Sequence, residues 1–290
     1  MKSFLLFISV ALLLVIGAEK TEAIKIGLQD KTPQTIIAAS DGGVIINNET
    51  GAPIGSVSKM KPYKFKASGN SVIFISDNDR NMHTSSVTLV PDGGFVSVKK
   101  KWYRGKLIIV AKKGKLTVIN DVDLESYLKG VVPSEMPSKW DIEAHKAQAI
   151  AARSYAIANL GKRGASGYDL KDTPEDQAYG GASAETRRTT KAVKDTKGIV
   201  LTYDKKIIPA YYHASSGGHT VNSGKVWNTD LPYLRAVPAF DNSLAKNGHG
   251  VGMSQNGANN LAQKGYNAYQ ILMYFYNNIN FAKLRPEWVL

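Results

Sequence analysis

The sequence predicts an α+β protein in which a β-rich N-terminal region precedes a mixed α/β domain with a central alanine-rich helix and a cleft. Three observations point there. Between Ile24 and about Asn120, short runs of β-branched and aromatic residues alternate with turn residues, and helical periodicity is nearly absent. From Lys139 to Leu160 one helical stretch carries alanine at 144, 147, 149, 151, 152, 156 and 158, small side chains that suit a helix gripped on more than one side. Two glycine-rich runs bearing histidine, 211–219 and 248–257, then interrupt the later strands and helices.

Taken in order, Lys2 precedes an apolar run from Phe4 to Ala18, and Thr21-Glu22-Ala23 offers a small-x-small site. Residues 1–23 therefore read as a secretory signal peptide, because the run is shorter than the roughly 20 apolar residues of a spanning helix. Retention as an uncleaved membrane-associated segment is the alternative. Strands are expected at Thr35–Ala38, Val44–Ile46, Val72–Ile75, Val87–Val90 and Phe95–Val98. Lys106–Val110 and Lys115–Ile119 flank Ala111-Lys112-Lys113-Gly114, a hairpin signal with Gly available for positive φ. The β-rich region is taken as 24–115 and the following domain as 116–290. Asp123–Lys129 reads as a short helix with Asp123 as N-cap and Gly130 past its end. Val131 to Pro137 should be an extended or turning segment, since Pro133 and Pro137 restrict themselves and their predecessors. Ser138, with Asp141 three residues on, resembles a capping box for the alanine-rich helix, which Gly161 stops. Gly198–Tyr203 and Ile207–Tyr212 look like paired strands, while Ser254–Lys264 and Ala268–Tyr276 look like helices capped by Ser254 and Asn267.

Composition narrows the function. The chain has 290 residues with 37 Lys+Arg against 24 Asp+Glu, a net charge of +13. A hydrophobic fraction of 43% argues against wholesale disorder and against a multi-span membrane protein. The absence of cysteine excludes disulfides, thiol nucleophiles and every cysteine-ligated metal site. An exported basic protein meets anionic wall polymer or lipid head groups more often than nucleic acid. No basic stretch is laced with aromatics as base-stacking surfaces are, so no nucleic-acid partner is expected. Lys99, Lys100 and Lys101 read as a solvated face.

Glu135 stands out as a candidate acid/base, held between prolines ahead of the helix that carries Lys146 and Arg153 on one face. The plain alternative is a surface glutamate near a helix terminus, with the two cations solvated or salt-bridged. In the glycine-rich runs, His213, Ser215, Ser216, His249, Ser254 and Gln255 are candidate binding residues, because glycine lets backbone N–H groups approach a ligand. The alternative there is a pair of tight turns with satisfied histidines. Sharper motifs fail: 252–256 lacks the final glycine of a nucleophile elbow, and Gly250-x-Gly252 lacks the third glycine of a dinucleotide fingerprint. His213, His219 and His249 lack a carboxylate signature for zinc, so neither metal nor cofactor is expected. His83 and His145 read as isolated surface residues.

Asn120-Asp121-Val122-Asp123-Leu124-Glu125-Ser126-Tyr127-Leu128-Lys129-Gly130-Val131-Val132-Pro133-Ser134-Glu135-Met136-Pro137 and Ala144-His145-Lys146-Ala147-Gln148-Ala149-Ile150-Ala151-Ala152-Arg153-Ser154-Tyr155-Ala156 resemble the stage II sporulation protein D and amidase-enhancer family. Ser215-Ser216-Gly217-Gly218, Trp227, Tyr233-Leu234 and 248–258 continue the resemblance in order, over roughly residues 103–280. The resemblance implies a lytic transglycosylase acting on peptidoglycan glycan strands, typically strands stripped of stem peptides. It implies Glu135 as catalytic acid, with Lys146 and Arg153 as basic residues important for activity. By the same resemblance, Glu135 would protonate the oxygen between N-acetylmuramic acid and N-acetylglucosamine, then deprotonate the muramoyl 6-hydroxyl as it closes on C1. The other role it implies is a catalytically silent wall-binding protein that enhances an N-acetylmuramoyl-L-alanine amidase. Sporulation-type members often carry His and Cys before the Gln-x-Tyr segment, where a metal can sit. Here Asp176 stands at the Cys position ahead of Gln177-Ala178-Tyr179, which argues against zinc.

Overall fold

Alternate burial along the N-terminal half, with Ile24, Ile26 and Leu28 inside and Lys25 outside, makes strands of segments that sequence alone leaves unmarked. The computed structural model describes residues 23–75 and 81–285. The expected signal peptide lies outside the described residues except for Ala23. Twelve strands come first: β1 (Ala23–Thr32), β2 (Gln34–Ala39), β3 (Gly43–Asn47), β4 (Pro53–Val57), β5 (Tyr63–Ser68), β6 (Ser71–Ile75), β7 (Asn81–Thr84), β8 (Ser86–Pro91), β9 (Val96–Val98), β10 (Lys101–Tyr103), β11 (Lys106–Lys112) and β12 (Lys115–Asp123). With β13 (Leu170–Lys171) they form a seven-stranded sheet, β13-β1-β12-β11-β8-β3-β4, and a six-stranded sheet, β10-β9-β2-β5-β6-β7. The two sheets share a core in which Phe65, Phe74, Leu107, Ile109 and Val118 are fully buried.

The five expected strands and the hairpin are present, so the α+β reading holds. The β11–β12 turn is tighter than expected: Lys112 pairs with Lys115, and Lys113 (φ 50) and Gly114 (φ 71) make a two-residue turn of the I′ kind. The expected boundary at 115/116 falls inside this hairpin. β12 lies between β1 and β11, β13, supplied from later in the chain, completes the sheet beside β1, and one core runs from Ile24 to Val193.

The helices are α1 (Leu124–Glu135), α2 (Ile142–Ala158), α3 (Arg187–Asp195), α4 (Gln255–Gln263) and α5 (Ala268–Phe275). Asp123 caps α1 as expected, its Oδ1 accepting from Ser126 N–H at 2.9 Å. Yet α1 does not stop at Gly130. It runs to Glu135 with Pro133 inside, which corrects the expected loop at Val131–Pro137. Pro133 removes one hydrogen-bond donor, but only in the last turn, and burial of Val131 and Val132 holds the helix there. Pro137 ends it instead, by forcing Met136 into extended backbone (φ −130, ψ 140). The start of α2 also shifts: Asp141 is its cap, accepting from Glu143 N–H at 2.8 Å, in place of Ser138.

α2 is the central helix. Ala149, Ala152 and Ala156 face the core shared with the sheets and α1, while Ala144, Ala147 and Ala151 face α4 and α5. His145 is consequently buried, with Nε2 3.1 Å from Pro137 O, and the expectation of a surface histidine is corrected. β14 (Ile199–Tyr203) pairs with β15 (Lys206–Ile207) and β18 (Asn280–Lys283). The expected strand Ile207–Tyr212 is split, because Tyr212 and His213 form β16, which pairs in parallel with β17 (Met253–Ser254). Ser254 and Asn267 cap α4 and α5 as expected. Among the described residues no helix is long and apolar enough to cross a membrane.

Candidate active site

The C-terminus of α1 delivers Glu135 to a cleft of about 510 Å³ lined also by Tyr155, Lys162, Tyr211, Tyr212, Trp227 and His249. The segment after β13 runs along the last turns of α1. Gly180 N–H donates to Gly130 O at 3.2 Å and to Ser134 Oγ at 3.0 Å. Such close approach requires glycine at 130, since a Cβ would lie 2.6 Å from the Tyr179 ring and 2.8 Å from Gly181 O. This packing aims Ala178 N–H at Glu135 Oε1, 2.7 Å away. From the other side, Gln255 opens α4 and donates Nε2–H to Glu135 Oε2 at 3.2 Å. The β16–β17 ladder brings Gln255 and Tyr212 together, and the Tyr212 hydroxyl is the third donor to the carboxyl group.

A polar relay stands behind these contacts. Tyr127 O–H donates to Gln177 Oε1 at 3.1 Å, and Gln177 Nε2–H donates to Tyr212 OH at 2.8 Å, which leaves the Tyr212 proton for Glu135. Burial pushes both phenols well above their ordinary pKa, so they stay neutral donors. Burial also raises the pKa of Glu135, and the three donors pull against it without overcoming it. No cation bonds to Glu135 among the described residues.

The structure sorts the other expected site residues. His213, His249 and Gln255 line the cleft with Glu135. His213 is buried, with Nδ1 3.1 Å from Val251 O and Nε2 2.6 Å from Ser216 Oγ. Burial and the neighbouring His249 lower its pKa to about 4. Ser215, Ser216 and Ser254 lie behind the wall, committed to internal bonds: Ser215 Oγ–H to Ala245 O at 2.6 Å, Ser216 N–H and Ser254 Oγ–H to Asp241 Oδ2 at 2.6 and 2.7 Å. These three serve the shape of the loops and are not among the residues lining the cleft.

Lys146 and Arg153 do share a helix face, but it faces α3 and away from the cleft. Arg153 is fully buried and makes a bidentate pair with Glu125, Nε–Oε1 2.7 Å and Nη2–Oε2 2.8 Å, with further bonds to Ile199 O at 3.1 Å and Val193 O at 3.4 Å. Lys146 bonds Glu143 at 2.7 Å and lies 3.6 Å from Asp195. The cation at the cleft is Lys162, whose Nζ is 3.0 Å from Tyr155 OH and 2.7 Å from Asp176 Oδ1. Asp176 is shared with Arg163 at 2.5 Å and bonds Lys171 N–H at 2.8 Å, which makes it the knot of a loop. Among the described residues, no group of three or more His, Asp or Glu is placed to hold a metal ion.

Sequence reasoning passed over Tyr212, Lys162, the Ala178 N–H and the aromatic wall. Tyr211 and Trp227 have ring centroids 4.5 Å apart, with His249 5.2 Å from Trp227 and Tyr155 5.7 Å from Tyr211. Tyr211-Tyr212 beside His213 was a visible signal, whereas a backbone donor such as Ala178 leaves none.

Comparison with known proteins agrees with the motifs. The chain is 47% identical over 109 residues to the amidase enhancer of Bacillus subtilis, an overlap of 38% of this chain and 14% of that protein. It is 36% identical over 134 residues to stage II sporulation protein D of Bacillus amyloliquefaciens (41% and 39% covered) and 31% identical over 176 residues to an uncharacterised protein of Brachyspira hyodysenteriae (58% and 48%). The chain thus spans less than half the length of each of these curated relatives. Tyr211, Tyr212, Trp227, His249 and Gln255 lie C-terminal to the segment that a family model matches, whereas Glu135 and its relay partners Tyr127 and Gln177 lie within it. That segment, residues 112–203, matches the family described as SpoIID, stage II sporulation protein.

Proposed function

We propose that the protein is an exported cell-wall enzyme, acting in sporulation or wall remodelling, whose cleft takes peptidoglycan glycan strands lacking stem peptides. It cuts the bond between N-acetylmuramic acid and N-acetylglucosamine as a lytic transglycosylase. The observation that carries this reading is the state of Glu135: a carboxyl group on a cleft wall, its pKa raised by burial, touched by three neutral donors and by no cation among the described residues. Such a group keeps a proton to higher pH than a solvated glutamate, as a general acid must.

In the first step Glu135 gives its proton to the bridging oxygen and the bond from that oxygen to muramoyl C1 breaks. In the second, the carboxylate takes the proton of the muramoyl 6-hydroxyl while that oxygen bonds to C1. The proton returns to Glu135, a 1,6-anhydro end results, and no water is consumed. The Ala178, Gln255 and Tyr212 donors stabilise the carboxylate between the two steps. Tyr211 and Trp227 offer apolar ring faces against which sugar rings lie. Lys162, in place of Lys146 and Arg153, meets the free lactyl carboxylate of a stripped strand.

Similarity to a protein named amidase enhancer favours a second reading, a wall-binding module that stimulates an N-acetylmuramoyl-L-alanine amidase without cutting glycan. One experiment separates the two. The protein and its Glu135→Gln variant are incubated with stem-peptide-free glycan strands, and new chain ends are read by mass spectrometry. Anhydro-muramoyl ends made by the wild type, and reduced at least about a hundredfold in the variant, are the expected result. No new ends together with retained wall binding would overturn the enzyme reading and leave the enhancer.

A further inference from the structure

Three turns meet at the end of the sandwich opposite α1, on the order of 25–30 Å along β12 from the helix. Lys31 is the penultimate residue of β1, Lys66 lies near the end of β5, and Lys112, Lys113 and Lys115 surround the β11–β12 turn. The turns touch one another. Gly114 N–H donates to Gly69 O at 2.6 Å, Lys113 N–H to Asn70 Oδ1 at 2.9 Å and Ala67 N–H to Pro33 O at 3.0 Å, while Thr32 pairs with Leu116. All five lysines are exposed, and none has an ion-pair partner among the described residues. The carboxylates at this end are Asp30, which accepts from Thr117 Oγ1 at 3.2 Å, and Glu49, held by the Ser85 N–H and hydroxyl.

Two features of this cluster cost local stability. Lys31 (φ 54) and Lys113 (φ 50) sit in the left-handed region, which costs a residue with a Cβ roughly 1–2 kcal/mol. Lys112 faces Lys115 across the last rung of the hairpin, where directly opposed like charges are destabilising. Asparagine or glycine at 113 would close the same turn with less strain. Local stability is given up and positive charge is kept, the pattern of a surface held for a partner.

We propose that this end of the sandwich docks a linear polyanion with a phosphodiester in every repeat. Lys112 faces Lys115 across β11 and β12, and Lys31 stands on β1, the other neighbour of β12, beside Thr32, which pairs with Leu116. That is a row of point charges and not a pocket, which suits spaced charges along a chain. The cations are lysines throughout, without the planar fork that recognises a single carboxylate or phosphate in a fixed pose. Segments 30–34, 66–71 and 111–117 contain no aromatic side chain on which a base could stack, and their only large apolar residue, Leu116, is buried and so cannot enter a lipid interface.

The test titrates the full chain with purified poly(glycerol phosphate) at low and at physiological salt. The expected result is binding that weakens steeply with salt. A quadruple variant, Lys31→Ser, Lys112→Ser, Lys113→Asn and Lys115→Thr, should bind at least about tenfold more weakly and melt no lower than the wild type. A control with the same loss of charge on the helical side, Lys139, Lys194, Lys197 and Lys206 each changed to Ser, should lose less than about threefold. Equal losses in the two variants would reduce the effect to net charge and overturn the proposal, as would no binding. Tighter binding to phosphatidylglycerol vesicles or to duplex DNA at matched phosphate concentration would reassign the surface and overturn it as well.

Discussion

At the scale of single residues, Glu135 and Arg153 are opposite solutions to burying a charge. Glu135 has donors but no counter-ion among the described residues, and burial shifts its carboxyl toward the neutral form. The consequence for stability follows from linkage. Below the ordinary glutamate value of 4.5 both folded and unfolded chains hold the proton, so its burial adds no pH-dependent penalty. As pH rises toward and through the raised folded value, the unfolded chain gives up the proton more readily and folding stability falls. Glu135→Gln should therefore melt close to the wild type near pH 4 and above it near pH 8, read by thermal melts across that range. An offset that is constant with pH, or one of opposite sign, would contradict the assignment. If the proposed reaction is right, the rate of the wild type should also decline as pH climbs through the same raised value. Arg153, in contrast, keeps its charge by a bidentate bond to Glu125 and three backbone carbonyls. Glu125→Leu strands that guanidinium and should cost about 3–5 kcal/mol in urea unfolding. A loss below about 1 kcal/mol would mean that water reaches Arg153.

At the scale of elements, α1 and the segment 177–181 form one device that presents Glu135. Its precision rests on Gly130, where the segment passes too close for any side chain. In an open helix Gly→Ala gains about 1 kcal/mol. Gly130→Ala should reverse that sign and lose about 1–3 kcal/mol, because the new methyl displaces Tyr179 or Gly181. It should also lower the rate of the proposed reaction by pulling the Ala178 N–H off Glu135. A stabilised Gly130→Ala variant, measured by denaturant midpoint, would count against this packing. Caps at Asp123, Ser254 and Asn267 were legible because a capping side chain acts within three residues of itself. The end of α1 was not, because a proline in the last turn is tolerated only when distant residues bury the helix around it, and Val131 and Val132 are buried in that way.

At the scale of the whole molecule, the β-rich region and the helical region share a sheet as well as a core. A chain beginning at Leu116 would lose β1 and β11, both hydrogen-bonding partners of β12, and the partner of β13. Such a fragment should show no cooperative melt by near-ultraviolet circular dichroism, and a sharp transition at the wild-type temperature would refute the shared sheet. By itself the sequence determined what is local or periodic: the α+β class, the β11–β12 hairpin, the central alanine-rich helix, three caps and the motif that singles out Glu135. Only the tertiary structure decided which polar groups meet. Lys146 and Arg153 lie on one face of α2 by helical geometry, but whether that face borders a cleft or a helix depends on α3, which is distant in sequence. Tyr212, Gln255 and the Ala178 N–H come from three separate segments, and no spacing rule links them to Glu135. Short-range signals encode dihedral angles and capping, whereas a site is made by long-range packing that brings remote side chains out of water together.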